Sequence, residues 1–173
     1  PQNIEVIGER AFRGCSYLTG SLTIPNKITE IPTGAFATYN WETRERGFNG
    51  ILKLPDGLQT IGDEAFDGAS FKGELTIPKN VSVIGARAFK DTEFSGVLDL
   101  PSELISLGSE AFRGCWRLSG VVEIPENIVA VPSQLFYGCT GLEGVKLHKD
   151  VEVIESQAFL GCYGIYSIVS EAK

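Results

Sequence analysis

The dipeptide Ala-Phe, written once as Leu-Phe, returns along this chain at a nearly constant interval, and this constrains the fold more than any other feature. Successive repeat phenylalanines are 23 or 24 residues apart, with one interval of 30, and they are Phe12, Phe36, Phe66, Phe89, Phe112, Phe136 and Phe159. A proline stands eleven residues before each of them, replaced by His148 in the last unit. A unit of this length cannot bury its apolar residues alone, so the period predicts a solenoid of seven stacked units.

Each unit also carries a short alternating segment just before its proline. Aliphatic residues two positions apart, such as Leu98 and Leu100, lie on one face of a strand. The following proline ends that strand because it has no N–H to donate. Further aliphatic positions, a glycine or proline and then the Ala-Phe pair predict a turn that leads to the next unit. Stacked units should place equivalent strands about 4.8 Å apart in a parallel sheet.

The segments GSLTIPNKITEIPTGAF and GELTIPKNVSVIGARAF show the unit most clearly. They resemble the BspA-like (Treponema pallidum-type) leucine-rich repeats of bacterial surface proteins. The resemblance covers residues 1–173 and implies one α/β-type leucine-rich-repeat domain, a right-handed horseshoe with short concave parallel strands, turns and short helical pieces. It also implies a secreted or surface-anchored parent protein, often linked to adhesion, of which this chain is a fragment.

One departure from the family pattern concerns the spacer before the strand. The spacers from Leu18 to Leu22 and from Leu118 to Val122 are one residue longer than the common spacing. An extra residue next to a strand predicts a bulge or a wider turn there.

The repeat accounts for most residues that carry chemistry in other proteins. The seven phenylalanines are expected to form a spine of the core. Three residues after a repeat phenylalanine stand all four cysteines, Cys15, Cys115, Cys139 and Cys162. The same column accepts Ala69 and Thr92, so it is a small-residue packing position that suits a free thiol. A disulfide and a metal site remain as alternatives, although parallel side chains fit neither geometry well.

Composition and motif searches narrow the function classes. The net charge of −7 repels phosphate backbones, so no nucleic-acid partner is expected. No apolar run reaches the roughly 18 residues that a membrane span needs. Asp99 and Glu123 share an outward column at a spacing near the roughly 5–5.5 Å of retaining glycosidases, but solvated charges on a sheet are the simpler interpretation. We expect no enzyme activity, no cofactor and no metal.

Two regions vary while the rest of the repeat stays constant, and they are the candidate contact surfaces. The outward strand positions offer an apolar strip at Ile51, Val97 and Val121. The long unit adds the segment TYNWETRERGF at positions 38–48, with residue types enriched at interfaces: Tyr39, Trp41, Arg44 and Arg46. The same edge of later units carries Trp116, Arg117 and Tyr163.

These features together predict a non-catalytic protein-binding or adhesion module with a protein partner such as a host extracellular-matrix protein. One alternative is a structural spacer without a ligand of its own. Another is an accessory glycan-binding module in which the exposed aromatic rings stack on sugars. An extracellular or cell-surface location is expected from the family resemblance alone.

Overall fold

The structure is a computed structural model that describes residues 3–39 and 46–170, and it shows a parallel β-solenoid. Its strands are short, and every pairing between them is parallel. They are β1 (Leu22–Thr23), β2 (Glu30–Ile31), β3 (Leu52–Lys53), β4 (Thr60–Ile61), β5 (Val83–Ile84), β6 (Gly96–Val97), β7 (Ser106–Leu107), β8 (Leu118–Glu123), β9 (Ala130–Val131), β10 (Leu142–Leu147), β11 (Val153–Ile154) and β12 (Ser167–Ser170).

The strands before most of the prolines form the row that the sequence predicts, which we call the strand face, but the strand expected before Pro78 does not form, so the row is interrupted in the fourth unit. It consists of the pair β1–β3 and a four-stranded sheet in the order β12-β10-β8-β6. Equivalent residues of neighbouring units pair, for example Leu22 with Leu52 and Val122 with Val145. A register shift occurs between β8 and β10, where Leu142 pairs with Gly120 and Gly144 with Val121, so the extra residue lies on β10 and not in the longer spacer from Leu118 to Val122 where the sequence predicted it. The spacers before the strands of these two units differ in length by one residue. One strand must therefore bulge so that equivalent residues further along can pair.

A second row of two-residue strands follows the prolines, where the sequence predicted only a turn. It contains a four-stranded sheet in the order β2-β4-β5-β7 and the pair β11-β9. Each of these strands ends on a buried aliphatic residue except β11, for example Ile61 on β4 and Ile84 on β5. The aliphatic column six residues after the proline is therefore a strand position that points into the core.

The Ala-Phe segments form turns, and no helix occurs in residues 3–39 or 46–170. The expectation of short helical pieces is therefore wrong. In the third unit, alternate amides donate to the next unit, those of Glu64, Phe66 and Gly68, each at 2.8 Å. The amides between them donate to carbonyls three residues back in their own unit. A helix directs all its N–H groups along one axis, so this alternation requires a different backbone.

Left-handed residues produce that alternation. Two positions before the repeat phenylalanine, φ is 53–60° at the non-glycine residues Arg10, Glu64, Arg87, Glu110, Gln134 and Gln157. Two positions after it, most units have glycine with positive φ, as at Gly68 and Gly114. Side chains tolerate this conformation poorly, so the turn is held by its bonds to neighbouring units rather than by local preference.

The core is a continuous stack of rings between the two strand rows. The seven repeat phenylalanines are stacked with centroid distances of 5.2–5.8 Å and interplanar angles of 7–15°. A second stack, Phe48, Phe71 and Phe94, meets the first edge to face. Phe36, Phe66, Phe89, Phe112 and Phe136 are buried, as predicted. Phe159 is partly buried and packs against this core.

The structure contradicts the expected burial of two residues. Phe12 is 40% exposed and Cys15 is also exposed. Phe12 stacks on Phe36 but on no other described phenylalanine, because Phe12 and Cys15 belong to the first unit, at an open end of the described stack. The column position alone therefore does not bury a residue; it must have units on both sides.

Candidate binding surfaces

The strand face exposes an apolar column. Ile51, Val97 and Val121 are 61%, 59% and 44% exposed. Their neighbours along the strands, Leu52, Leu98 and Val122, are buried. Val97 also reaches over the next unit, since a Cβ added at Gly120 would lie 2.9 Å from its Cγ2. The three side chains that the sequence singled out therefore lie on the solvent side of the sheet.

The edge that follows the cysteine column carries exposed aromatic side chains. Trp116 is 51% exposed and Tyr163 is 88% exposed. The guanidinium of Arg117 lies 4.8 Å from the centre of the Trp116 ring and 3.9 Å from the Glu93 carboxylate. Arg117 therefore covers one face of the indole. The two aromatic residues occupy equivalent positions of the fifth and seventh units, separated by Thr140.

The long unit is described only in part. Trp41 and Arg44, two of its predicted contact residues, lie outside the described residues. Tyr39 is exposed, and the guanidinium of Arg46 lies 5.4 Å from its ring centre. Arg46 also donates from Nη1 to the Asp91 carbonyl at 2.6 Å, while its own carbonyl accepts from Thr38. Arg46 thus fastens this segment to the body of the solenoid, a structural role that the sequence did not indicate.

The buried cysteines form a regular column. Cys115, Cys139 and Cys162 each donate from Sγ to the carbonyl of the repeat phenylalanine one unit earlier, at 2.9–3.1 Å. Burial raises the pKa of Cys115 to about 12 and also raises the pKa of Cys139 and Cys162. All four cysteines are free, and no group of potential metal ligands occurs within residues 3–39 and 46–170. The three buried thiols pack in the core, as the sequence predicted, and their hydrogen bonds to the phenylalanine carbonyls were not predicted.

The turns carry a ladder of ion pairs along the stack. Glu64 lies 2.7 Å from Arg13 and 3.7 Å from Arg87, and Glu110 lies 2.9 Å from Arg87 and 2.8 Å from Arg113. The hydrogen bond from Arg13 lowers the pKa of Glu64. Burial opposes ionisation of Glu110, but its bonds from Arg87 and Arg113 keep its pKa below the usual value.

One glycine makes the longest step of this ladder possible. A Cβ at Gly34 would lie 2.9 Å from the Arg13 guanidinium, and Gly34 has a φ of 61°. Arg13 therefore crosses the second unit to reach Glu64 in the third. Glu64 and Glu110 are thus each neutralised by arginines of neighbouring turns.

His148, the histidine that replaces the proline, has a local structural role. Its Nε2 is 3.1 Å from the Ile128 carbonyl, and the Asp150 amide donates to its Nδ1 at 3.3 Å. These contacts place the proton on Nε2, because Nδ1 accepts. The side chain therefore links the end of β10 to the preceding unit.

The two strand rows, the ring stack and the turn ladder define the class of the protein, a leucine-rich-repeat solenoid. The chain belongs to the family of BspA type leucine rich repeat regions, whose sequence profile matches residues 1–46 and 48–166 in six copies. The family expected from the sequence is thus confirmed. Such solenoids typically serve as interaction or structural modules rather than as catalysts.

Two solved structures illustrate the likeness. The leucine-rich repeat protein of T. pallidum is 26% identical over 91% of this chain and 69% of its own, with a TM-score of 0.64. A leucine-rich repeat protein of Eubacterium ventriosum is 18% identical over 94% of this chain and 69% of its own, with a TM-score of 0.52, which shows the fold alone. No match is found among curated proteins. The described residues contain no helix that could cross a membrane.

Proposed function

We propose that this chain is a non-catalytic protein-binding module of an extracellular or cell-surface protein, with its contact site on the strand face. The observation that carries the proposal is the exposure of Ile51, Val97 and Val121 on a sheet whose alternate positions are buried. Packing in the core restricts which residue types can occupy the inward column of the strand face, but it does not restrict those in the outward column. Apolar side chains in the outward column therefore suit contact with another surface.

The family supports the same class of function, because repeat solenoids present an extended surface to their partners. An adhesion role follows if the partner is a host extracellular-matrix protein. The cell-surface location and the adhesion role both rest on the likeness to surface proteins of this repeat type.

A binding screen against host matrix proteins tests the proposal. The variant Val97→Thr/Val121→Thr keeps the β-branched shape and removes the apolar surface, so affinity for the partner should fall at least about tenfold. Val129→Thr is the control, since Val129 is 45% exposed, close to the 44% of Val121, but precedes β9 in the second strand row. Thermal melting should change little in either variant.

The outcomes separate the candidate functions. Equal loss in the strand-face variant and in the control contradicts a contact at this face. No binding to any matrix protein favours the spacer function instead. Trp41 and Arg44 stay predicted contact residues, and Trp41→Ala in the same screen decides whether the long unit contributes.

A second candidate function, glycan binding, is favoured by the exposed rings of Trp116 and Tyr163. The open face of an indole suits stacking against a sugar ring, and Arg117 already covers the other face. A glycan array should then show a signal that Trp116→Ala removes. The control is Tyr166→Ala, which changes an exposed ring elsewhere. A signal that survives Trp116→Ala contradicts this candidate.

A further inference from the structure

Acidic side chains on the two sides of the solenoid have different surroundings. On the turn side, Glu64, Glu110 and Asp67 are all paired with arginine or lysine. At the ends of the strands, Asp99, Glu103 and Glu126 are exposed and have no ion-pair partner within the described part of the chain. These three carboxylates therefore face solvent without a paired cation among the described residues.

These carboxylates surround a depression of about 480 Å³. It lies between the ends of β6 and β8 and the loops that follow Pro101 and Pro125, and Glu123 also lines it. A bond from Asn127 Nδ2 to the Ser102 carbonyl at 3.3 Å joins the two loops. The depression is thus built by consecutive units and held by contacts within the repeat.

Its extent along the stack is limited. The loop position occupied by Ser102 and Glu126 carries Lys79 in the preceding unit and Lys149 in the following one. Lys146 also contacts Glu123, at 2.8 Å. The unpaired negative charge therefore spans two units, roughly 10 Å at the ordinary strand spacing.

Two residues of the apolar column stand close in sequence to residues that line the depression. Val97 ends β6 and stands two residues before Asp99, and Val121 stands two residues before Glu123 on β8. Both valines are exposed. An arginine or lysine suits such a pair of neighbouring surfaces, because its aliphatic stem covers apolar area while its charged end reaches the carboxylates.

We propose that the partner of the strand face binds through a short basic segment, whose clustered arginine or lysine side chains enter the depression at Asp99, Glu103 and Glu126. The inference rests on the proposed protein-binding function and names the chemistry of its partner. Charge complementarity of this kind raises the association rate and selects the partner, and added salt weakens it.

A labelled decapeptide containing five arginines is the probe, and the same peptide with citrulline in place of arginine is its neutral control. Binding is measured by fluorescence anisotropy at low and at physiological ionic strength. The variant Asp99→Asn/Glu103→Gln/Glu126→Gln should bind the arginine peptide about tenfold more weakly, because it removes three contacts with an exposed cation. The citrulline peptide should not bind either protein.

The matched control variant is Glu9→Gln/Glu30→Gln/Asp56→Asn. It removes the same charge from exposed carboxylates that lie outside the depression, so it should keep the affinity of the unchanged protein. Equal weakening of the two variants means non-specific attraction to net charge and overturns the proposal, as does the absence of binding. If a matrix protein binds in a way that depends on Val97 and Val121 but not on the three carboxylates, the proposed protein-binding function stands. That result would overturn only the proposal that the partner carries a basic segment.

Discussion

At the scale of single residues, the cysteine column shows how position in the stack decides reactivity. The thiols of Cys115, Cys139 and Cys162 are buried and donate to carbonyls, whereas Cys15 is exposed. A thiolate is the reactive species, and burial raises the pKa of the three buried thiols.

Alkylation near pH 8 should therefore label Cys15 alone in the folded protein and all four cysteines in denaturant. The count is read by mass spectrometry after a short exposure to iodoacetamide. Rapid labelling of Cys139 in the folded protein contradicts the buried column.

Two acidic residues of the same unit should respond to pH in opposite directions. The hydrogen bond from Arg13 lowers the pKa of Glu64 below its ordinary 4.5, so its contribution to stability is present above that pH and is lost on acidification. Burial raises the pKa of Asp67 above its ordinary 3.8, so stability falls as the pH rises through the raised value.

Glu64→Gln should lower the melting temperature near pH ~7, and this effect should shrink toward pH ~2.5 as acid protonates the carboxyl that Arg13 stabilises. Asp67→Asn should raise the melting temperature near about pH 7 and have little effect in acid. Calorimetry at the two pH values checks both. The same direction of change for the two variants at neutral pH is inconsistent with these pKa directions.

At the scale of the repeat element, the glycine before the turn in three consecutive units, Gly62, Gly85 and Gly108, lies against the backbone of the preceding unit, whereas the sixth unit has Pro132 in this column and the seventh has Glu155. A Cβ at Gly108 would lie 2.2 Å from the Ala86 nitrogen and 2.4 Å from the Gly85 carbonyl carbon. Gly8 occupies the same column but has nothing within 4 Å of such a Cβ. The glycine requirement therefore comes from stacking and not from the turn itself.

Gly108→Ala should cost several kcal/mol of folding free energy, roughly 2–4, because backbone atoms must move apart. Gly8→Ala should be neutral or slightly stabilising. Urea denaturation of the two variants makes the comparison, and similar free energies of unfolding would falsify the requirement imposed by stacking.

Parts of the element were predictable from the sequence and others were not. Period two before Pro101 identifies Leu98 and Leu100 as inward residues, because residues two positions apart share a face in extended backbone and not in a helix, and both are buried although β6 already ends at Val97. The second strand row was missed because two residues are too few to show any period. The left-handed turns were missed because Glu64, Arg87 and Glu110 are not residues that favour positive φ; their conformation is imposed by bonds to adjacent units.

At the scale of the whole molecule, stability should depend on where a residue lies along the stack. Phe89 is buried between Phe66 and Phe112, each at 5.4 Å, and meets Phe94 edge to face. Phe12 stacks on Phe36 at 5.2 Å and is 40% exposed.

Phe89→Ala should therefore lower the free energy of unfolding by about 3–5 kcal/mol, and Phe12→Ala by only about 1–2 kcal/mol. Denaturant unfolding followed by fluorescence measures the difference. Equal losses would argue against a linear stack in which neighbours on both sides are needed for full burial.

The candidate surfaces also show what a linear pattern can reveal. Ile51, Val97 and Val121 were found because a constant repeat makes its variable columns visible. Arg46 belongs to an insertion without a counterpart in other units, so its bond to Asp91 was not predictable. The acidic depression was missed because Glu103 and Glu126 meet Asp99 and Glu123 only when loops and strands of consecutive units come together in space.

The hydrogen bonds between units have a mechanical consequence. In both strand rows and in the turns they run from one unit to the next along the axis of the stack. Tension applied along that axis loads the junctions between units in series, so each junction carries the full force. The chain should then lengthen in discrete steps as one unit after another detaches, and the units should stack again when the force is removed.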